Sequence, residues 1–310
     1  VLAAVGNFYS NVFGDAMVVR VGRPGKLEMT SAIGYFAGYA GGGVFLVLAA
    51  ALVLTPQAFG FSGVAMAVRF SFALAALWWL VFTLPLLRWV PRVTSTEVVG
   101  AVQAARQGLR QFRRTLQHVA SYRQVWMFLI AYWLYIDGVN TVIQMAVDYG
   151  KAIGLSTSTM ILAVLLVQFI GMPAALVFGR LGERIGPRSG ILAGLVVYIG
   201  VSVYATQIHS AWQFYVMAAA VGLVQGGVQL LSRALYARLV PKERSGEFFG
   251  FYNMLGEFAA ILGPLLIGLT SYLTRDPRLS ILSVIVLFVL GGVLLLRVGA
   301  PTGPVPGQVG

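Results

Sequence analysis

Residues 179–188 read Gly179-Arg180-Leu181-Gly182-Glu183-Arg184-Ile185-Gly186-Pro187-Arg188. The segment lies between one apolar run at about 157–178 and another at about 190–207. Each run is roughly 20 residues, the length of helix that crosses a hydrocarbon core of about 30 Å. The glycines permit a tight turn between two such helices, and the basic side chains hold that turn at an aqueous surface. These ten residues therefore predict two membrane helices joined by a short charged turn.

Working outward, the same alternation covers the chain. Apolar blocks fall at about 1–19, 33–54, 70–90, 125–147, 157–178, 190–207, 212–236, 249–273 and 279–297. Of 310 residues 58% are hydrophobic and 10% charged, where a soluble domain carries about 25% charged residues. Lipid offers no partner to an unpaired backbone amide, so each block is expected to be helical. The class is an all-α, multi-pass membrane protein. There is no cysteine, which excludes disulfides and Cys-based metal sites. The two histidines, His118 and His209, fall in connections. No metal site, no cofactor and no enzyme constellation is expected.

The net charge of +12 raises nucleic-acid binding, but its distribution argues for a bilayer. With the connections taken alternately, only Arg69, Lys151, Arg275 and Arg278 of the 22 Lys and Arg residues fall on one side. The other side holds the remainder, as in the positive-inside bias, which puts the C-terminus in the cytoplasm. No nucleic-acid partner is expected; the partners are the lipid bilayer and a solute. Nine crossings then start outside at Val1, which is not Met, so an odd number of further helices is expected upstream.

The longest connection, 91–124, has Val98, Val102, Ala105, Leu109, Phe112, Leu116 and Val119 on one helical face. It predicts an amphipathic helix on the cytoplasmic leaflet, or one packed on a partner helix. It divides the chain into 1–90, the linker 91–124, a six-helix part at 125–297, and a disordered tail at 298–310. A shift of 218 residues aligns Asn7 with Gln225, Asn11 with Gln229, Asp15 with Arg233, Arg20 with Arg238 and Lys26 with Arg244.

Polar stripes mark a solute path. Asp137, Asn140, Thr141 and Gln144 share one helix face. A carboxylate near mid-bilayer costs at least about 2.5 kcal/mol, so Asp137 should face a cavity or a partner; helix–helix hydrogen bonding is the competing role. Gln225, Gln229 and Arg233 form a second stripe, and Asn7, Asn11 and Asp15 a third. Three such helices imply a wet interior. Gln168 stands alone on its helix. Gly34, Gly38 and Gly42, with Gly171, Ala175 and Gly179, offer small faces for close helix contact, and Gly263-Pro264 predicts a kink.

The segment 179–188 closely resembles the cytoplasmic-loop signature of the major facilitator superfamily, with Gly179, Gly182, Glu183, Arg184, Gly186 and Arg188 at matching positions. Within it, Tyr135-Ile136-Asp137-Gly138-Val139-Asn140-Thr141-Val142-Ile143, Gly222-Leu223-Val224-Gln225-Gly226-Gly227 and Leu239-Val240-Pro241-Lys242-Glu243-Arg244-Ser245 resemble the vacuole-effluxer-like family, as does Glu247-Phe248-Phe249-Gly250 through Gly263-Pro264. The resemblance departs at Glu257, where the family leads one to expect a basic residue. It implies the major facilitator fold, with nine helices present of an expected twelve, the first three being the end of an N-terminal half. Superfamily halves are related as parallel repeats, which is how the 218-residue shift would arise.

The same resemblance implies a secondary transporter of a small polar solute, an amino acid among the candidates, working by alternating access, with efflux as the direction and H+ as coupling ion. Asp137 is the expected proton carrier and Glu257 the reserve. Asp15 and Arg233 are expected to pair when the inner end closes, with Glu183, through the loop motif, as the rival partner of Arg233. A monomer in a cell membrane, plasma or inner, or in a vacuolar membrane for a fungal chain, completes the expectation. A non-transporting facilitator-like sensor or assembly partner is the alternative.

Overall fold

The structure, a computed structural model, describes residues 2–22, 26–89, 122–241 and 244–299. Helices occupy the positions of all nine apolar blocks, and the described residues contain no strand. They are α1 (Leu2–Val21), α2 (Leu27–Leu54), α3 (Val64–Trp89), α4 (Arg123–Ala152), α5 (Thr157–Ile185), α6 (Pro187–Ala205), α7 (Ala211–Leu239), α8 (Ser245–Phe258), α9 (Leu262–Thr274), the short α10 (Pro277–Ser280) and α11 (Ile285–Leu296). Among the described residues, seven spans are long and apolar enough to cross a membrane, and Ile281–Leu296 is a shorter apolar helix. The amphipathic linker expected over 91–124 lies almost wholly outside the described residues, as does the tail from 300 onward.

Local chemistry sets the ends. Ser156 accepts the Thr159 N–H at 3.2 Å and starts α5. Ser210 and Gln213 cap each other's backbone at the start of α7. Between α5 and α6 stands Gly186 at φ 85°, a left-handed conformation that disfavours any side chain. Pro187 follows at the first position of α6, where a missing N–H is no loss.

Two compact units emerge, residues 40–114 and residues 1–39 with 115–310. In the first, Trp78 meets Phe45 at 5.9 Å and Phe82 at 4.9 Å between ring centroids. Most large apolar side chains of α3 are exposed.

In the second unit α7 packs between α5 and α6, α4 against α11, and α1 against α8. Its core is aromatic. Tyr132 stacks on Tyr252 at 4.2 Å, and Tyr252 on Tyr236 at 5.0 Å. Two buried hydroxyls of this core are paired, as their burial favours: Tyr236 donates to the Phe248 carbonyl at 2.8 Å, and Tyr135 shares a 2.7 Å bond with Ser232. The small faces of α2 and α5 do meet, but in a different register from the glycine stripe. A Cβ at Gly179 would press on Ala32, and one at Gly171 on the Tyr39 ring, while Gly34 lies beside Arg233.

The block expected as one kinked helix at 249–273 is two helices. α8 ends at Phe258 and α9 begins at Leu262. Gly263 and Pro264 belong to the first turn of α9, where proline is tolerated.

Candidate functional site

The break between α8 and α9 is built by one turn of α4. A helix that stops inside a membrane leaves carbonyls at one end and amides at the other without partners. Asp137, fully buried, accepts from the N–H of Gly263 at 2.7 Å, of Leu262 at 3.0 Å and of Ile261 at 3.4 Å. Thr141 donates to the same carboxylate at 3.3 Å. Asn140 reaches the other side of the break, donating to the carbonyls of Gly256 and Ala259 at 3.4 and 3.5 Å. An acceptor thus meets the positive end of α9 and a donor the negative end of α8, the arrangement helix dipoles favour. Asp137, Asn140 and Thr141 of the stripe meet at this break, and the carboxylate meets a partner rather than a cavity.

The cavity lies beside this break. About 580 Å³ in volume, it is lined by 17 described residues. They include Asn11, Asp15, Asn140, Gln168, Gln225, Gln229, Arg233 and Glu257 of the expected site, but not Asp137, Thr141, Gln144 or Asn7. Gln144 and Asn7 are exposed elsewhere; each continues its stripe beyond the stretch that turns inward. Tyr35, Tyr39, Tyr132, Tyr252 and Asn253 also line it. The tyrosines gave no signal of a site because aromatic residues at helical spacing look like core.

The 218-residue shift could have found several of them. It pairs Asn11 with Gln229, Asp15 with Arg233, Gly34 with Tyr252, Tyr35 with Asn253, Gly38 with Gly256 and Tyr39 with Glu257. All twelve residues line the cavity. One pair is in direct contact: Arg233 Nη1 donates to Asp15 Oδ1 at 2.9 Å. The shift thus pairs residues that share one lining, and Asp15 and Arg233 among them touch.

Arg233 is the most constrained side chain of the site. Besides Asp15, it donates through Nε to Ser31 Oγ at 2.8 Å and through Nη2 to the Ser31 carbonyl at 2.9 Å. Its guanidinium lies 4.8 Å from the Tyr35 ring centroid, within cation–π range. Arg233 and Asp15 are 12% and 17% exposed. Closer to the helix ends, Arg238 donates to Glu28 at 2.6 Å, and Glu28 is fully buried. Two ion pairs therefore tie α7 to the first two helices, Arg233–Asp15 within the cavity lining and Arg238–Glu28 outside it. Glu28 escaped sequence reading because nothing in an isolated first-turn acid tells of a cation on a distant helix.

The loop motif packs beside the Arg238–Glu28 pair. A Cβ at Gly182 would meet Leu231 and the Glu28 side chain, so the glycine lets α5 approach both. Arg188 donates to the carbonyls of Leu296 and Val298 at 2.5 and 2.9 Å, holding the last helix where its orphan acceptors need a cation. Glu183 and Arg184 are exposed. Glu183 makes no ion pair among the described residues, whereas Arg233 has Asp15.

Comparison with known proteins agrees with this architecture. The family described as vacuole effluxer Atg22-like matches residues 26–305. An uncharacterised MFS-type transporter of Bacillus subtilis, YxiO, is 35% identical over 302 residues, 97% of this chain and 70% of the relative. Autophagy-related protein 22 of Cryptococcus neoformans is 27% identical over 295 residues, 88% of this chain and 52% of that protein. The chain thus spans about half the length of this fungal relative. Among solved structures, the human organic anion transporter MFSD10 gives a TM-score of 0.63 at 16% identity, covering 92% of this chain and 67% of the other. The transporter FucP in the outward conformation gives 0.63 at 12%, covering 94% and 72%. At these identities the two structures speak for the fold alone.

Proposed function

We propose, from the premise that this chain belongs to the vacuole effluxer Atg22-like family of major facilitator transporters, that it moves a small polar solute across a membrane by alternating access. It is a multi-pass membrane protein of a transporter fold and not an enzyme. The observation that supports the reading is a polar-lined cavity of about 580 Å³ whose wall holds the Arg233–Asp15 ion pair between α7 and α1. A pair between repeat-related positions is where rocking of two repeats would act first.

In this reading the Arg233–Asp15 and Arg238–Glu28 pairs form when the protein is closed to the basic, cytoplasmic side. They part when it opens, and rehydrating both charges sets the barrier between the states. Efflux is the direction and the protein works as a monomer, its C-terminus in the cytoplasm. H+ is the coupling ion. Glu257 suits the carrier's part better than Asp137: it is exposed to cavity water with no hydrogen bond or ion pair among the described residues. The Asp137 carboxylate is already engaged by three backbone amides.

Charge reversal tests the gate. In vesicles carrying the full-length protein, pH-gradient-driven flux of a panel of labelled amino acids should fall at least about tenfold in Arg233→Asp, the effect of about 1.4 kcal/mol. Adding Asp15→Arg should restore most of it. Rescue by Glu183→Arg instead would transfer the partnership to the loop motif. Wild-type vesicles that move no member of the panel would count against transport itself.

A further inference from the structure

Building on the transport reading, we infer that the solute bound in this cavity carries a net positive charge, a cationic side chain in addition to any α-ammonium, which Glu257 receives with Tyr39 in the same lining.

The inference follows from which charges are already matched. Arg233 is the basic residue of the lining, and each of its three nitrogens already donates, to Asp15 or to Ser31. Its face is taken by Tyr35. Asp15 is neutralised by the same contact. Glu257 remains, a carboxylate on a membrane helix with no ion pair or hydrogen bond among the described residues. A charge in that setting is tolerated where water or a counter-charge reaches it, and the cavity supplies the first but not the second. The lining therefore carries a net single negative charge from Asp15, Glu257 and Arg233. Asp137, buried one helical turn from Asn140, adds to the negative potential from behind the wall. A low-dielectric wall with one sign of charge concentrates solutes of the opposite sign.

The repeat sharpens the point. Glu257 occupies the place that Tyr39 holds in the first copy, and both line the cavity. A tyrosine ring presents a negative face that attracts cations, so the two equivalent positions favour the same charge by different means. Tyr39 is seated firmly: a Cβ at Gly171 or Gly226 would come within 2.8 or 2.6 Å of its ring. An anionic solute would meet no unmatched cation here. The remaining lining amides suit a hydrogen-bonding body attached to the cation.

Arginine and citrulline make a suitable test, because they differ in replacing a guanidinium by an uncharged urea of nearly the same shape. Binding of L-arginine, L-citrulline and L-glutamate to the purified full-length protein would be followed by ligand-induced thermal stabilisation. Arginine should bind at least about tenfold more tightly than citrulline, with glutamate weakest. Glu257→Gln should abolish the preference, and Glu257→Asp should keep most of it, which separates lost charge from lost fold. Equal or tighter binding of citrulline or glutamate overturns the inference, as does an undiminished preference in Glu257→Gln. Failure of arginine to bind at millimolar concentration also overturns it. Flux of the same three solutes in vesicles keeps the two readings apart. Flux of citrulline or glutamate without arginine preference removes the charge inference and leaves transport standing. Arginine binding without flux of any solute keeps the site and removes transport.

Discussion

Under the 218-residue shift, α2 and the pair α8–α9 are the same element, since Leu27 falls on Ser245 and Leu54 two residues short of Thr274. Only the second copy is broken. The break at 259–261 corresponds to Gly41-Gly42-Gly43 of the first, through which α2 runs without interruption. Intrinsic propensity predicts the reverse, because each glycine is about 1 kcal/mol worse in a helix than alanine, and the broken copy has Ala259-Ala260-Ile261 there. The difference is supplied from outside the helix. Asp137 and Asn140 on α4 satisfy the freed amides and carbonyls, so a break that lipid would penalise becomes stable. A membrane helix breaks where a partner can complete its hydrogen bonds, and local sequence is the weaker influence.

The largest effect should come from removing that partner. Asp137→Leu would leave the N–H groups of Ile261, Leu262 and Gly263 without their acceptor, at about 1–3 kcal/mol each when buried. Thermal unfolding of the purified protein should show a loss of several kcal/mol, with Asp137→Asn much milder because its amide oxygen still accepts. Equal stability of wild type and Asp137→Leu would break the comparison and return Asp137 to the solute path.

A second, smaller effect concerns Gly263. A Cβ there would run into the Thr141 side chain and come within 2.8 Å of Asp137 Oδ1. Gly263→Ala should therefore destabilise by about 1–3 kcal/mol, the usual penalty of overpacking. The equivalent residue of the unbroken copy is Phe45, which already carries a ring. If Gly263→Ala melts like wild type, the cap is looser than the contacts require.

The smallest expected effect contrasts two glycines of the cavity wall. A Cβ at Gly38 would meet nothing within 4 Å, whereas one at Gly256 would lie 3.2 Å from the Tyr132 hydroxyl. Gly38→Ala should be neutral or stabilising by up to about 1 kcal/mol through helix propensity. Gly256→Ala should gain less, or lose, because the Tyr132 ring must shift. Melting curves that rank the pair the other way would show that the two copies of the cavity wall are not packed as described.

Much of the site was legible as a set of helices and little of it as geometry. The stripes of Asn7–Asn11–Asp15 and Gln225–Gln229–Arg233 name faces whose residues, Asn7 excepted, line the cavity, because a 3.6-residue period reports which residues share a side. The stripe of Asp137, Asn140 and Thr141 names a face as well, but periodicity carries no information on what that face meets. Asn140 turns to the cavity and the break, and Asp137 to the amides of α9. Four tyrosines in the wall and Glu28 beneath it gave no signal of their own, since a buried aromatic and a first-turn acid are ordinary in any helix.

Read alone, the amino-acid sequence yields the helical class, the positions of the apolar segments, the uneven spread of basic residues between alternate connections and a 218-residue shift that aligns several polar positions. Hydrophobic length, charge asymmetry and period are properties of the chain read in one dimension, and the bilayer enforces each of them. Only the tertiary structure decided that equivalent residues Asp15 and Arg233 touch, that Asp137 completes a broken helix, and that Glu257 faces the cavity with no counter-charge among the described residues. Those facts depend on which helix stands opposite, and a hydrogen bond or ion pair between residues more than a hundred positions apart leaves no mark on either segment alone.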